Sequence, residues 1–174
     1  RHPPGEDIMF ELKSINSAAI PAALERVERY RLLNEPRVAQ SICQDILAID
    51  PENQPALIQL ILSMTDTFAQ STEVSAKAVF DLIPRLTNEY DRVYYTGVIH
   101  ERQAKARLNR AYPGSNFDAH ELLTEAMAWF EQAEAAHPEH NEDAVLRWNT
   151  CARLIMNKKL EARPLSDDSA VMSE

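Results

Sequence analysis

A chain of 174 residues with 45% hydrophobic and 26% charged side chains has the balance of one ordinary globular domain. Its formal net charge of −9 argues against nucleic acid, whose binding needs a clustered basic face, and fits a basic partner better. With 3 glycines, no alternating β-branched runs and no stretch near the ~20 apolar residues of a membrane span, the chain points to helices and away from the membrane.

Residues 1–16, with Pro3, Pro4 and Gly5, read as a linker or processed N-terminal segment, with a short turn around 8–12. A chain that opens on Arg1 instead of Met, with no signal peptide, reads as a piece cut from a longer protein. From Ser17 the period changes. Ile20, Ala23, Leu24, Val27 and Tyr30 recur at helical spacing until Asn34-Glu35-Pro36 stops them. Val38, Ala39, Ile42, Cys43, Ile46 and Leu47 mark a second helix. Asp50-Pro51-Glu52-Asn53 is a turn, in which Asn53 caps a third helix that tolerates Pro55 in its first turn.

The third helix carries Leu57, Leu60, Ile61, Met64 and Phe68, and Ile58 and Leu62 make a second face apolar, so it is central. Gln70-Ser71-Thr72 breaks the pattern before a fourth helix over 73–87, which Pro84 kinks or shortens. A fifth helix covers 89–109, and Tyr112-Pro113-Gly114-Ser115-Asn116 is the clearest loop. Asp118 and Glu121 suggest a capping-box start for a sixth helix ending near His137-Pro138. Asn141 caps a seventh reaching Leu160. Over 161–174, Glu161, Asp167, Asp168 and Glu174 against Arg163 give −3, the mark of a disordered acidic tail.

The helix ends repeat. Ala39-x3-Cys43-x2-Ile46-x4-Pro51 and Ala126-x3-Phe130-x2-Ala133-x4-Pro138 share one spacing, and Asn53 and Asn141 follow their prolines. Tyr30 lies upstream of the first, Val93-x2-Thr96-Gly97-x2-His100 places a glycine on the fifth helix, and Ala76-x3-Phe80 adds a half-match. In these features residues 17–160 resemble the tetratricopeptide-repeat family, whose small residues let paired helices approach. The resemblance implies an all-α fold of about seven helices, in antiparallel pairs stacked as a short right-handed solenoid. The chain departs from the family in the middle repeat, which has Asn88 in place of its final proline. It departs again between Gly97 and Ala126, where an insertion lengthens the fifth and sixth helices.

The resemblance further implies a concave groove lined by the first helix of each pair. Its candidate residues are Leu24, Glu28 and Arg31, then Ile58, Leu62 and Thr65, then Tyr94, Val98 and Glu101, with Asn149 and Arg153 from the last helix. The Lys and Asn of the family's carboxylate clamp are replaced by Leu24, Ile58 and Tyr94 and by Glu28, Leu62 and Val98. An apolar groove suits an amphipathic helix or apolar peptide. Core packing explains Ile58, Leu62 and Val98 equally well.

Arg102, Lys105, Arg107 and Arg110 form a basic run on the fifth helix, either a solvated face or a reader of an acidic peptide or carboxylate. No phosphate loop, nucleophile–base order or paired-Cys metal motif is present, so no enzyme, metal or cofactor is expected. The His137–Asp143 region reads as polar turn residues and His100 as a core histidine. Cys43 and Cys151 read as buried thiols in the cytoplasm, although their spacing leaves a disulfide open. The expected function is a non-catalytic adaptor or scaffold that binds a protein or docks domains of a longer parent. The alternatives are a homodimer formed through Met127, Trp129 and Phe130, and a small-ligand or enzymatic domain with an unrecognised site.

Overall fold

The computed structural model describes residues 10–136 and 139–166, which are all-helical and contain no strand. Seven α-helices occur among them: α1 Ile20–Leu32, α2 Pro36–Ile49, α3 Gln54–Asp66, α4 Ala76–Phe80, α5 Glu89–Arg110, α6 Ser115–Ala135 and α7 Asp143–Lys158. Single 3-10 turns, Ser17–Ala19 and Ile83–Arg85, precede α1 and follow α4.

Local chemistry sets most of the boundaries. Pro21, Pro36 and Pro55 stand in first turns, where a missing N–H costs nothing. Asn53 Oδ1 accepts the Ala56 N–H at 2.9 Å, Ser75 Oγ that of Ala78 at 3.2 Å, and Asn88 Oδ1 that of Asp91 at 3.2 Å. Asn34 turns the chain from α1 into α2 with φ 58°, and Ala111 and Lys159 end α5 and α7 in the same left-handed region.

Three expectations are corrected. The fourth helix, expected over 73–87, is only Ala76–Phe80. Pro84 cannot donate to the Phe80 carbonyl, so the chain tightens into the Ile83–Arg85 turn. The sixth helix begins at Ser115 and not at an Asp118 cap. Gly114 at φ 86° makes the turn, and Asp118 lies inside the first turn, accepting from the Tyr112 hydroxyl at 2.5 Å and from Arg163 at 2.6 Å. Phe68 lies just past the end of α3 but is still buried.

His137 and Pro138, and with them the expected end of the second motif, lie outside the described residues, as do residues 1–9 and 167–174 of the expected linker and tail. Residues 161–166 are exposed without regular structure, with Arg163 held on Asp118 and over the Phe117 ring at 5.4 Å.

Consecutive helices pair, α1 with α2, α2 with α3, α5 with α6 and α6 with α7, while α3 also meets α1 and α5. Apolar burial follows that order in separate clusters. Ala23, Ile46 and Ala56 join the first three helices, as do Val27, Ala39, Cys43 and Leu60. Leu57, Ile61, Val79, Leu86 and Ile99 knit α3, α4 and α5 together. Tyr94, Val98, Leu123, Ala126 and Phe130 fill the interface of the two longest helices. A Cβ at Gly97 would lie 2.6 Å from Phe130 Cε1, so only glycine admits that ring. No described helix is long and apolar enough to cross a membrane.

Candidate functional site

With α1 and α5 packed on either side of α3, a lane of polar side chains crosses all three helices. Gln59 Nε2 donates to Glu28 Oε1 at 3.5 Å, and Arg31 Nη1 donates to Gln59 Oε1 at 3.2 Å. Arg31 Nε then donates to Asp66 Oδ2 at 2.8 Å, and Arg102 pairs with the other oxygen of the same carboxylate. One aspartate at the end of α3 thereby ties α1 to α5. Burial pulls the Arg102 pKa down, partly offset by Asp66, yet a guanidinium keeps its charge throughout the physiological range.

A second cluster of the lane, which joins α5 to α7, centres on Glu101, whose side chain is 1% exposed. Its Oε2 accepts from Arg147 Nη1 at 2.6 Å and lies 3.4 Å from Lys105 Nζ, while Cys151 Sγ sits 3.5 Å from Oε1. Arg147 Nε also donates to the Tyr94 hydroxyl at 2.9 Å, with the guanidinium 5.9 Å from that ring's centre. Burial opposes the Arg147 charge, but Glu101 and Tyr94 outweigh it and its pKa is raised. A buried glutamate between two cations is the arrangement that a low dielectric demands.

The expected groove residues therefore divide. Glu28, Arg31 and Glu101 belong to the lane, with Tyr94 as a buried partner of Arg147. Val98 has no exposed surface, and Thr65 is 3% exposed with its hydroxyl on the Leu62 carbonyl, so neither side chain offers contact area to a partner. Leu24, Ile58 and Leu62 are half-buried against the clusters beneath, which is the core-packing alternative. Asn149 is half-buried and Arg153 exposed.

Beside half-buried Leu24, Ile58 and Leu62 of the expected apolar middle, the lane carries four cations (Arg31, Arg102, Lys105, Arg147) and three carboxylates (Glu28, Asp66, Glu101).

The basic run divides too. Arg102 and Lys105 serve Asp66 and Glu101, while Arg107 and Arg110 point toward the α3–α4 connection, where Arg110 Nη2 donates to the Phe68 carbonyl at 2.8 Å. His100 is half-buried against the Phe80 ring at 5.1 Å. Its Nδ1 is 3.2 Å from Glu125 Oε2 but outside hydrogen-bonding geometry, and burial lowers its pKa despite Glu125. Phe130, expected at a self-association surface, has no exposed area. Cys43 and Cys151 are free thiols, each pushed up to about 12 chiefly by burial. No group of three or more metal-ligating side chains comes together among the described residues.

Asp66, Gln59 and Arg147 were missed from sequence. Asp66 carried a signal, as the only charged residue of the otherwise apolar or polar-neutral α3. Arg147 carried none. Comparison with protein-family models, with curated proteins and with solved structures finds no match.

Proposed function

We propose that this chain is a non-catalytic protein-interaction scaffold of tetratricopeptide type, its antiparallel helix pairs stacked as a short right-handed solenoid. In this reading a segment of another protein lies along the face of α1, α3 and α5. The observation that carries it is the polar lane, in two clusters, one from Glu28 through Asp66 to Arg102 and one of Glu101 with Lys105 and Arg147. Its charges are held in place by one another, so a partner meets a surface that needs little reordering. Charges of both signs select the partner's pattern more than they raise its affinity. An amphipathic helix fits, its charged stripe on the lane and its apolar residues reaching Leu24 and Ile58 at the lane's edges. Two buried free thiols favour a cytoplasmic setting.

The test is photo-crosslinking in cells, with a benzophenone side chain placed at Glu28 or Lys105 on the lane and at Gln44 or Gln132 away from it. The same protein captured from both lane positions, and from neither control, supports the scaffold. Capture from the controls alone, or none at all, overturns it.

A further inference from the structure

We infer that the cavity between the α3–α4 connection and the C-terminal half of α5 is a separate binding site, which takes a glutamate-type anchor, a carboxylate on a short apolar stem, from a protein partner. The inference rests on the protein-binding reading for the kind of partner, and on the cavity's own chemistry for the anchor.

Size decides the class of occupant. The cavity holds about 170 Å³, below the ~300–1,000 Å³ usual for small-molecule sites, so it suits one inserted side chain. Its floor is apolar, with Phe68 6% and Ala106 3% exposed and Val74 beside them. Arg107, Arg110 and Ser71 stand at its walls, and no acidic residue lines it.

The missing acid is the informative part. Arg107 and Arg110 line the cavity together, and neither pairs with a carboxylate among the described residues. Glu73, the one acid of residues 67–75, turns outward to Arg37 at 2.6 Å. Asp118 is taken by Arg163 and by Tyr112, whose hydroxyl stands between it and Arg107. Arg110 is fixed by a single bond to the Phe68 carbonyl, and the remaining N–H groups of its five-donor guanidinium keep their capacity. A carboxylate reaching both guanidiniums gains charge-assisted hydrogen bonds while its methylenes cover Phe68 and Ala106.

The experiment titrates the isotopically labelled 174-residue chain with short acetylated, amidated peptides identical except for a central Glu or Gln flanked by Leu and Val. Sodium glutarate serves as the free acid. The Glu peptide should shift the backbone amides of 68–76 and 103–110, and bind roughly tenfold more tightly than the Gln peptide. Arg110→Gln, on an exposed side chain, should erase that preference with the other amides unmoved, and Arg110→Lys should restore part of it.

Equal binding of the two peptides, or no shift from either, overturns the inference. So does glutarate binding as tightly as the Glu peptide, which would make this a small-acid site. Shifts confined to Glu28, Gln59 and Asp66 would overturn this site and leave the scaffold reading standing. Failure of the crosslinking experiment removes the scaffold without touching the titration.

Discussion

Phe130 fills the space that a Cβ on Gly97 would occupy, with Cε1 2.6 Å and Cδ1 2.9 Å from that position. The ring has no exposed surface and the glycine lies mid-helix, so neither side of the contact has room to give. Alanine is favoured over glycine in a helix by up to about 1 kcal/mol, and the overpacking penalty of ~1–3 kcal/mol opposes it. Gly97→Ala should therefore destabilise the chain by about 1–2 kcal/mol in urea unfolding. Adding Phe130→Leu should recover part of the loss. A single variant as stable as the parent would show that the helices separate freely.

Asp66 is the shared carboxylate of Arg31 and Arg102, all three side chains being about a fifth exposed. Asp66→Asn keeps the shape and removes the charge, leaving two guanidiniums facing each other at the meeting of α1, α3 and α5. A loss of about 1–3 kcal/mol is expected, and added salt should restore part of it by screening the repulsion. An unchanged midpoint, or a loss that salt deepens, would count against this arrangement.

Glu101 and Arg147 make the most deeply buried ion pair of the lane. Glu101→Leu alone strands Arg147, which is 29% exposed and retains some access to water, so the cost should fall near ~3 kcal/mol, the lower end for broken buried pairs. Replacing both partners by leucine removes the stranded charge. The double variant should unfold at a higher denaturant concentration than Glu101→Leu, and additive losses in the double-mutant cycle would refute the coupling.

The thiols give the pH dependence its sign. In the unfolded chain a thiol titrates near 9, whereas burial raises Cys43 and Cys151 to about 12 in the folded one. Below pH 9 both states hold the proton and the contribution to stability is complete. Between 9 and 12 the unfolded chain releases protons that the folded chain keeps, so stability falls as pH rises. The slope approaches about 1.4 kcal/mol per pH unit for each thiol. Burial raises Tyr90 and Tyr95 in the same direction, so the thiol share is read by comparison with the Cys43→Ala, Cys151→Ala double variant, whose alkaline decline should be shallower. At neutral pH a thiol reagent should leave the native chain unlabelled and modify both cysteines only on unfolding. Prompt labelling of the folded chain would show that the two sites open readily.

Most of the helix boundaries were legible because their causes are local. Pro36 starts a helix, Asn53 caps one, and Pro113-Gly114 turns the chain, each through bonds within a few residues of its own backbone. The fourth helix was overdrawn because an apolar rhythm continues past Pro84 while the backbone donor does not. Asp118 has the spacing of a cap, but Gly114 begins the helix a turn earlier and leaves that carboxylate to Tyr112 and Arg163.

The lane was beyond local reading. Asp66 finds Arg31 at a separation of 35 residues and Arg102 at 36, and Glu101 finds Arg147 at 46. Sequence by itself settled that the chain is helical and where most helices begin, because period and capping act over a turn or two. Which charges meet, which apolar residues are lost to the core, and that Arg107 and Arg110 line one cavity without a carboxylate were decided by helix packing, since burial raises the cost of any unpaired charge and selects partners through space.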